Sequence, residues 1–108
     1  MTGPVVALST VATAEDAERI ARSLVEKGVA ACVNVVPGVV SFYRWKGRLE
    51  RDAEVLLVIK TRGERFDELK AALLAEHPYE LPELVALEVA GGHDRYLEWL
   101  EDSVRAGE

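Results

Sequence analysis

Glutamine is absent from this sequence, and asparagine, cysteine and methionine occur once each, as Asn34, Cys32 and Met1. A single cysteine excludes an internal disulfide framework and fits a reducing cytosol. Histidine occurs only at His77 and His93, with no H-E-x-x-H, no C-x-x-C and no glycine-rich phosphate loop. The zinc-protease, thioredoxin-type and nucleotide-hydrolase chemistries those motifs carry are therefore unsupported. No Ser-His-Asp or Cys-His set can be assembled either, so the expectation is a protein that is not an enzyme. Positive charge is scarce: 13 Lys and Arg stand against 19 Asp and Glu, a net charge of −6, with the bases spread along the chain. That excludes nucleic acid or an anionic membrane surface as main partner. No apolar run approaches the ~20 residues of a membrane span. Met1-Thr2-Gly3-Pro4 lacks a basic region followed by an apolar one, so a cytoplasmic location without an export signal is expected. Few thermolabile residues beside 30% charged ones is the pattern of a thermostable protein, although genomic base composition produces the same bias.

What is present is a globular balance, 49% hydrophobic over 108 residues, enough for one domain (1–108) with a core of its own. Its organising stretch is Ala30 to Lys60, read as a two-stranded ribbon folded at Trp45-Lys46-Gly47-Arg48. The first arm is Ala30 to Val36, then Pro37-Gly38, then Val39 to Tyr43; the second runs from Leu49 to Thr61. Gly47 supplies the positive φ of a tight turn. Pro37-Gly38 is expected to bulge the first arm, since proline removes a ladder donor and glycine permits the kink.

Around the ribbon, Pro4 to Val11 reads as a buried strand. Thr13 with Asp16 resembles a capping box, opening a helix with Ala17, Ile20, Ala21, Leu24 and Val25 on one face and Gly28 past its end. Thr61 to Glu64 repeats the capping pattern before a helix that turns Phe66, Leu69, Ala72 and Leu73 inward. His77-Pro78 stops that helix. Tyr79 to Pro82 is extended, Glu83 to Val89 a last strand, and Gly91-Gly92 a turn. Asp94 to Val104 is a terminal helix with Tyr96, Leu97, Leu100 and Val104 on one side. Met1 to Gly3 and Arg105 to Glu108 are expected to fray.

The order β-α-β-β-α-β plus a helix predicts an α+β, ferredoxin-like sandwich with both main helices on one sheet face. On such a sheet the open face should be polar. Val55 to Ile59 and Ala30 to Val33 do not alternate, so both faces of the central strands are apolar. Other copies of the chain would cover that surface, making a homo-oligomer; the rival is a monomer whose terminal helix wraps over it.

Ala30-Ala31-Cys32-Val33-Asn34, Val36-Pro37-Gly38, Tyr43-Arg44-Trp45-Lys46-Gly47, Glu54-Val55, Lys60-Thr61, His77-Pro78-Tyr79-Glu80-Leu81-Pro82-Glu83 and Tyr96-Leu97-Glu98-Trp99-Leu100, in that order, resemble the CutA family of divalent-cation tolerance proteins. The resemblance spans about Val5 to Val104. It implies a homotrimer of ferredoxin-like subunits and a cytoplasmic role tied to copper and other divalent cations. It also implies no established catalysis, and an architecture shared with the PII signalling proteins. The copper ligands it implies are a cysteine ending the first strand and two adjacent histidines before Pro-Tyr; here those positions hold Ser9, Glu76 and His77.

His77 with Glu76 or Glu80 and water forms a candidate copper site, since Cu(II) takes imidazole and carboxylate. The competing role for His77 is a helix C-terminal cap. Cys32 is a packing residue or a soft Cu(I) ligand. Lys60, Tyr79, Glu80, Tyr43 and Trp45 form a candidate cleft for a small anionic ligand, in the manner of a PII-like sensor, with Lys60 beside a helix N-terminus. The alternatives are a Lys60 salt bridge to Glu80 or Glu83, and Tyr43 and Trp45 as anchors for a neighbouring subunit. A purely structural trimeric adaptor is the third reading.

Overall fold

Lys46 and Gly47 both take positive φ, 51° and 79°, and fold the chain into its longest feature. Two left-handed residues in a two-residue loop make the type I′ turn, whose twist matches that of the strands it joins. The computed structural model describes residues 1–104. Within them run β1 (Pro4–Val11), α1 (Ala14–Glu26), β2 (Cys32–Trp45), β3 (Arg48–Arg62), a 3-10 turn (Gly63–Arg65), α2 (Phe66–Glu76), β4 (Val85–Glu88) and α3 (Asp94–Ser103). Arg105 to Glu108, expected to fray, lie outside the described residues.

The four strands form one antiparallel sheet in the order β2-β3-β1-β4. This is the α+β ferredoxin-like arrangement expected, with α3 appended. β2 and β3 pair from Cys32↔Lys60 to Trp45↔Arg48, and the register shifts between Val36 and Val39. Pro37-Gly38 makes that bulge, with Gly38 at φ 83°. β1 stops pairing at Val11↔Val55, so the ribbon runs on past the sheet and leaves a notch beside its outer half.

Ala7, Val11, Leu57 and Ile59 meet Ile20 and Leu24 of α1 and Leu69 and Leu73 of α2 in the core. Amphipathic spacing along α1 produces this, and Thr13 caps that helix by accepting the Asp16 N–H at 3.1 Å, a contact worth about 1 kcal/mol. On the opposite face α3 packs against β3 and β1, and the Lys60 ammonium lies 5.8 Å over the Tyr96 ring. The protein's own terminal helix therefore covers part of the apolar open face, and Leu56 and Val58 are half-buried. Much stays uncovered: Phe42 is 65% and Leu49 73% exposed, with Val85, Leu87 and Trp99 about half exposed.

Four local expectations change. Thr61 is no cap: it belongs to β3 and donates its hydroxyl to the Val29 carbonyl at 2.7 Å. α2 instead opens through the 3-10 turn with no side-chain cap. Val25 is exposed rather than inward. The last strand is four residues, Val85–Glu88, because only that segment finds partners along β1. Met1 to Gly3 are held, since Gly63 donates to the Gly3 carbonyl at 2.8 Å and packs tightly on Met1.

Candidate functional site

The notch beside the ribbon is a cleft of about 870 Å³. Thr10 at the end of β1, Ser41 to Trp45 of β2, Asp52 to Glu54 of β3 and part of the segment after α2 (Tyr79, Glu80, Leu81, Glu83) line it. The chain reaches that notch because Pro78 ends α2 and leaves the next residues extended. One imidazole pins them there. His77, 8% exposed, engages the Thr10 carbonyl through Nε2 at 2.8 Å and accepts the Tyr79 backbone N–H at Nδ1, 3.2 Å away. Accepting at Nδ1 requires that the proton sit on Nε2, so the ring is the neutral Nε2–H tautomer and donates to Thr10. Its ring meets that of Tyr79 edge-on, centroids 4.7 Å apart.

Tyr79 carries the arrangement into the cleft. Its phenol donates to Glu54 Oε2 at 2.6 Å, and Glu54 is only 8% exposed. Burial first, then the Glu54 carboxylate, raises the Tyr79 phenol well above its ordinary value. Tyr43 similarly donates to Asp52, and that hydrogen bond pushes its phenol up to about 12. Thr10 donates to Glu83 at 3.5 Å. The two phenols are thus neutral donors spent on carboxylates.

The proposed metal ligands are dispersed. Glu76 accepts from Ser23, from Lys27 at 3.2 Å and from Arg19 at 3.5 Å, so it ties the end of α2 to α1. Those donors, the Ser23 hydroxyl foremost, hold its carboxyl below the usual range. His77 has both nitrogens occupied, and the lone pair a metal would need already receives the Tyr79 N–H. Glu80 is exposed. Cys32 pairs across the sheet with Lys60, which pairs with Val6; Val6 lies four residues from Thr10, about 13 Å along the strand. Among the described residues no three His, Cys, Asp or Glu gather closely enough to hold a metal ion. A copper ion held by His77, Glu76 and Glu80 does not fit this chain's geometry. Ser9, at the position where the resemblance implies a cysteine, is fully buried with no partner for its hydroxyl among the described residues.

Of the residues assigned to an anion cleft, Tyr43, Trp45, Tyr79 and Glu80 do meet there. Lys60 does not. It sits under α3 against Tyr96, away from the cleft lining, and forms no salt bridge to Glu80 or Glu83.

Residues 5–103 match the family model of the CutA1 divalent ion tolerance protein. The chain belongs to that family. A divalent-cation tolerance protein CutA of Thermus thermophilus is 49% identical over 98 residues, 91% of this chain and 95% of that one. The chloroplastic protein CutA of Arabidopsis thaliana is 45% identical over 101 residues, 94% of this chain; the match spans only 56% of the Arabidopsis protein. The solved structure of the divalent cation tolerance protein from Thermus thermophilus superposes with a TM-score of 0.92 at 47% identity, covering 94% of this chain and 99% of that one. That of the PII-like protein CutA from Nostoc sp. PCC 7120 does so at 0.86 and 39%, covering 94% and 97%.

Sequence reasoning missed Thr10, Asp52 and Glu54. A signal existed for Asp52: once the turn fixes Trp45↔Arg48, counting back by twos places Tyr43↔Glu50 and Ser41↔Asp52 on one face, within diagonal reach. Glu54 stands in the Glu54-Val55 segment of the family resemblance, but nothing in its spacing marks it as a cleft residue.

Proposed function

We propose that this protein acts as a homotrimer in the cytoplasm, contributing to tolerance of divalent cations without catalysing a reaction. Membership of the divalent ion tolerance family supports the physiological part. The observation that carries the assembly is the uncovered ribbon. Phe42 and Leu49 stand largely exposed, and β2 is a 14-residue edge strand with no partner on its outer side among the described residues. Apolar surface of this kind along an unpaired edge calls for a neighbour, and closed symmetry lets identical copies supply it. The lone cysteine supports a reducing compartment. Because His77 and Glu76 are committed to structural contacts, the metal response is assigned to the assembly and not to a copper centre on those residues. Sedimentation at low micromolar concentration tests the assembly. A species of about 36 kDa, three times the 11.9 kDa chain, is expected for three copies closed head to tail into a ring, and a species no heavier than the single chain overturns it. Growth of a strain lacking the gene, with and without this chain, at raised copper tests the rest.

A second reading is favoured by the cleft itself: a PII-like sensor whose small ligand occupies the notch between ribbon and connector. The buried histidine that holds that connector to β1 supports a preformed site. Retention of a small molecule by the purified protein is its test.

A further inference from the structure

The cleft is acidic, and its acids are arranged around aromatic rings. Asp52, Glu54, Glu80 and Glu83 face it against one base, Arg44, whose guanidinium donates to the Gly47 carbonyl at 3.5 Å. Both phenols already donate to carboxylates, so the charged groups left over are acceptors. Glu54 matters most. It is more than nine-tenths buried, Tyr79 occupies Oε2 alone, and no described residue donates to Oε1. Tyr43, Trp45 and Tyr79 supply rings along the same wall, whereas Phe42 alternates to the other face of the ribbon, where Arg51 lies over its ring.

Each ligand class meets this lining differently. An anion would face four carboxylates, with Arg44 the one base among the lining residues; Lys46 lies outside that lining, over the Trp45 ring. A bare divalent ion needs three or more oxygen or nitrogen ligands converging within coordination distance, and the described residues offer no such group. A cation with N–H donors and an aliphatic body needs neither. Its charge is drawn into a negatively lined concavity, its N–H groups reach spread carboxylates one at a time, and its methylenes and charge rest on aromatic faces.

We propose that the cleft binds an organic cation, an amine or polyamine that donates to Glu54 and lies along the aromatic wall of the ribbon. This rests on reading the cleft as the ligand site, and deepens it by replacing the anion with a cation.

Calorimetric titration of spermidine into the full chain tests the proposal, with ATP titrated separately and the fluorescence of Trp45, isolated by Trp99→Phe, as a second readout. Saturable binding that weakens at high salt is expected. Glu54→Gln should weaken it about tenfold or more, as losing a charge-assisted hydrogen bond does. Because Glu54 is buried, the exposed pair Glu80→Gln with Glu83→Gln is tested beside it, and should also lower affinity. Glu98→Gln on α3, outside the cleft, should bind as wild type. The proposal is overturned if spermidine gives no saturable heat, if both cleft variants bind as wild type, or if Glu98→Gln weakens binding as much as they do. ATP binding without spermidine binding would keep the sensor reading and remove the cation; absence of both would remove both.

Discussion

Tyr79 donates its backbone N–H to Nδ1 of His77, so the residue after Pro78 fixes the tautomer of the residue before it. The imidazole then has one proton, on Nε2, and spends it on the carbonyl of Thr10. Connector, cleft wall and β1 are held by two hydrogen bonds from one ring.

Replacing His77 by alanine should therefore act on stability before anything else. One buried and one part-buried hydrogen bond disappear, leaving the Thr10 carbonyl and the Tyr79 N–H without partners, and a cavity opens. A loss of about 2–4 kcal/mol is expected from those terms together, read as a lower urea midpoint with an unchanged slope. Copper binding measured by calorimetry should be the same in both proteins. A selective loss of copper affinity with stability intact would return His77 to a ligand role.

Glu76 governs the acid limb. Its folded carboxyl lies below the usual value because Ser23, then Lys27 and Arg19, stabilise the charged form. The unfolded chain thus takes up the proton at higher pH than the folded one. The stabilisation is complete above the unfolded value near 4.5 and is lost as pH falls through the lower folded value. Glu76→Gln should flatten that part of the pH–stability curve. At neutral pH it should cost about 1 kcal/mol, modest because the side chain is 21% exposed and its two bases more so. Urea titrations across the acid range on both proteins decide it, and parallel acid limbs would contradict the assignment.

Local features could be read from the chain, and side-chain commitments to distant residues could not. Gly47, Pro37-Gly38 and Thr13 act locally, through allowed φ, a missing donor and a cap, so their consequences appear within a few residues and were legible. Thr61 misled because a threonine three residues before a glutamate looks the same whether its hydroxyl caps a helix or reaches Val29, thirty-two residues away. His77 and Glu76 are adjacent and both metal-competent. Only the fold shows that one faces β1 and the other α1. Lys60 was placed beside a helix start that Thr61 does not provide.

Tyr43 offers a spectroscopic test of the cleft. The Asp52 carboxylate that accepts its phenol raises it to about 12 from an ordinary value of 10.0. This contact favours the folded state below the unfolded value and is lost as pH rises through the folded one. Asp52→Asn removes the charge that opposes ionisation. Alkaline difference absorbance should then show one tyrosine moving down towards its ordinary value, and an unmoved titration would mean that Tyr43 and Asp52 do not meet.

At Ser9 a polar atom is buried without return. Its neighbours in β1 and β3 are apolar or small, it is 0% exposed, and no described residue accepts or donates at its hydroxyl. A hydroxyl in that condition keeps its desolvation cost and gains no hydrogen bond. Ser9→Ala should raise stability by about 1 kcal/mol, the usual cost of an unmet buried hydroxyl less the small volume lost. Ser9→Cys should do so as well, because a thiol packs as a small hydrophobe with little need of a partner. Urea midpoints of both variants above that of the parent are the expected result. A midpoint lowered by alanine but not by cysteine would show that volume, and not the unpaired hydroxyl, controls this site.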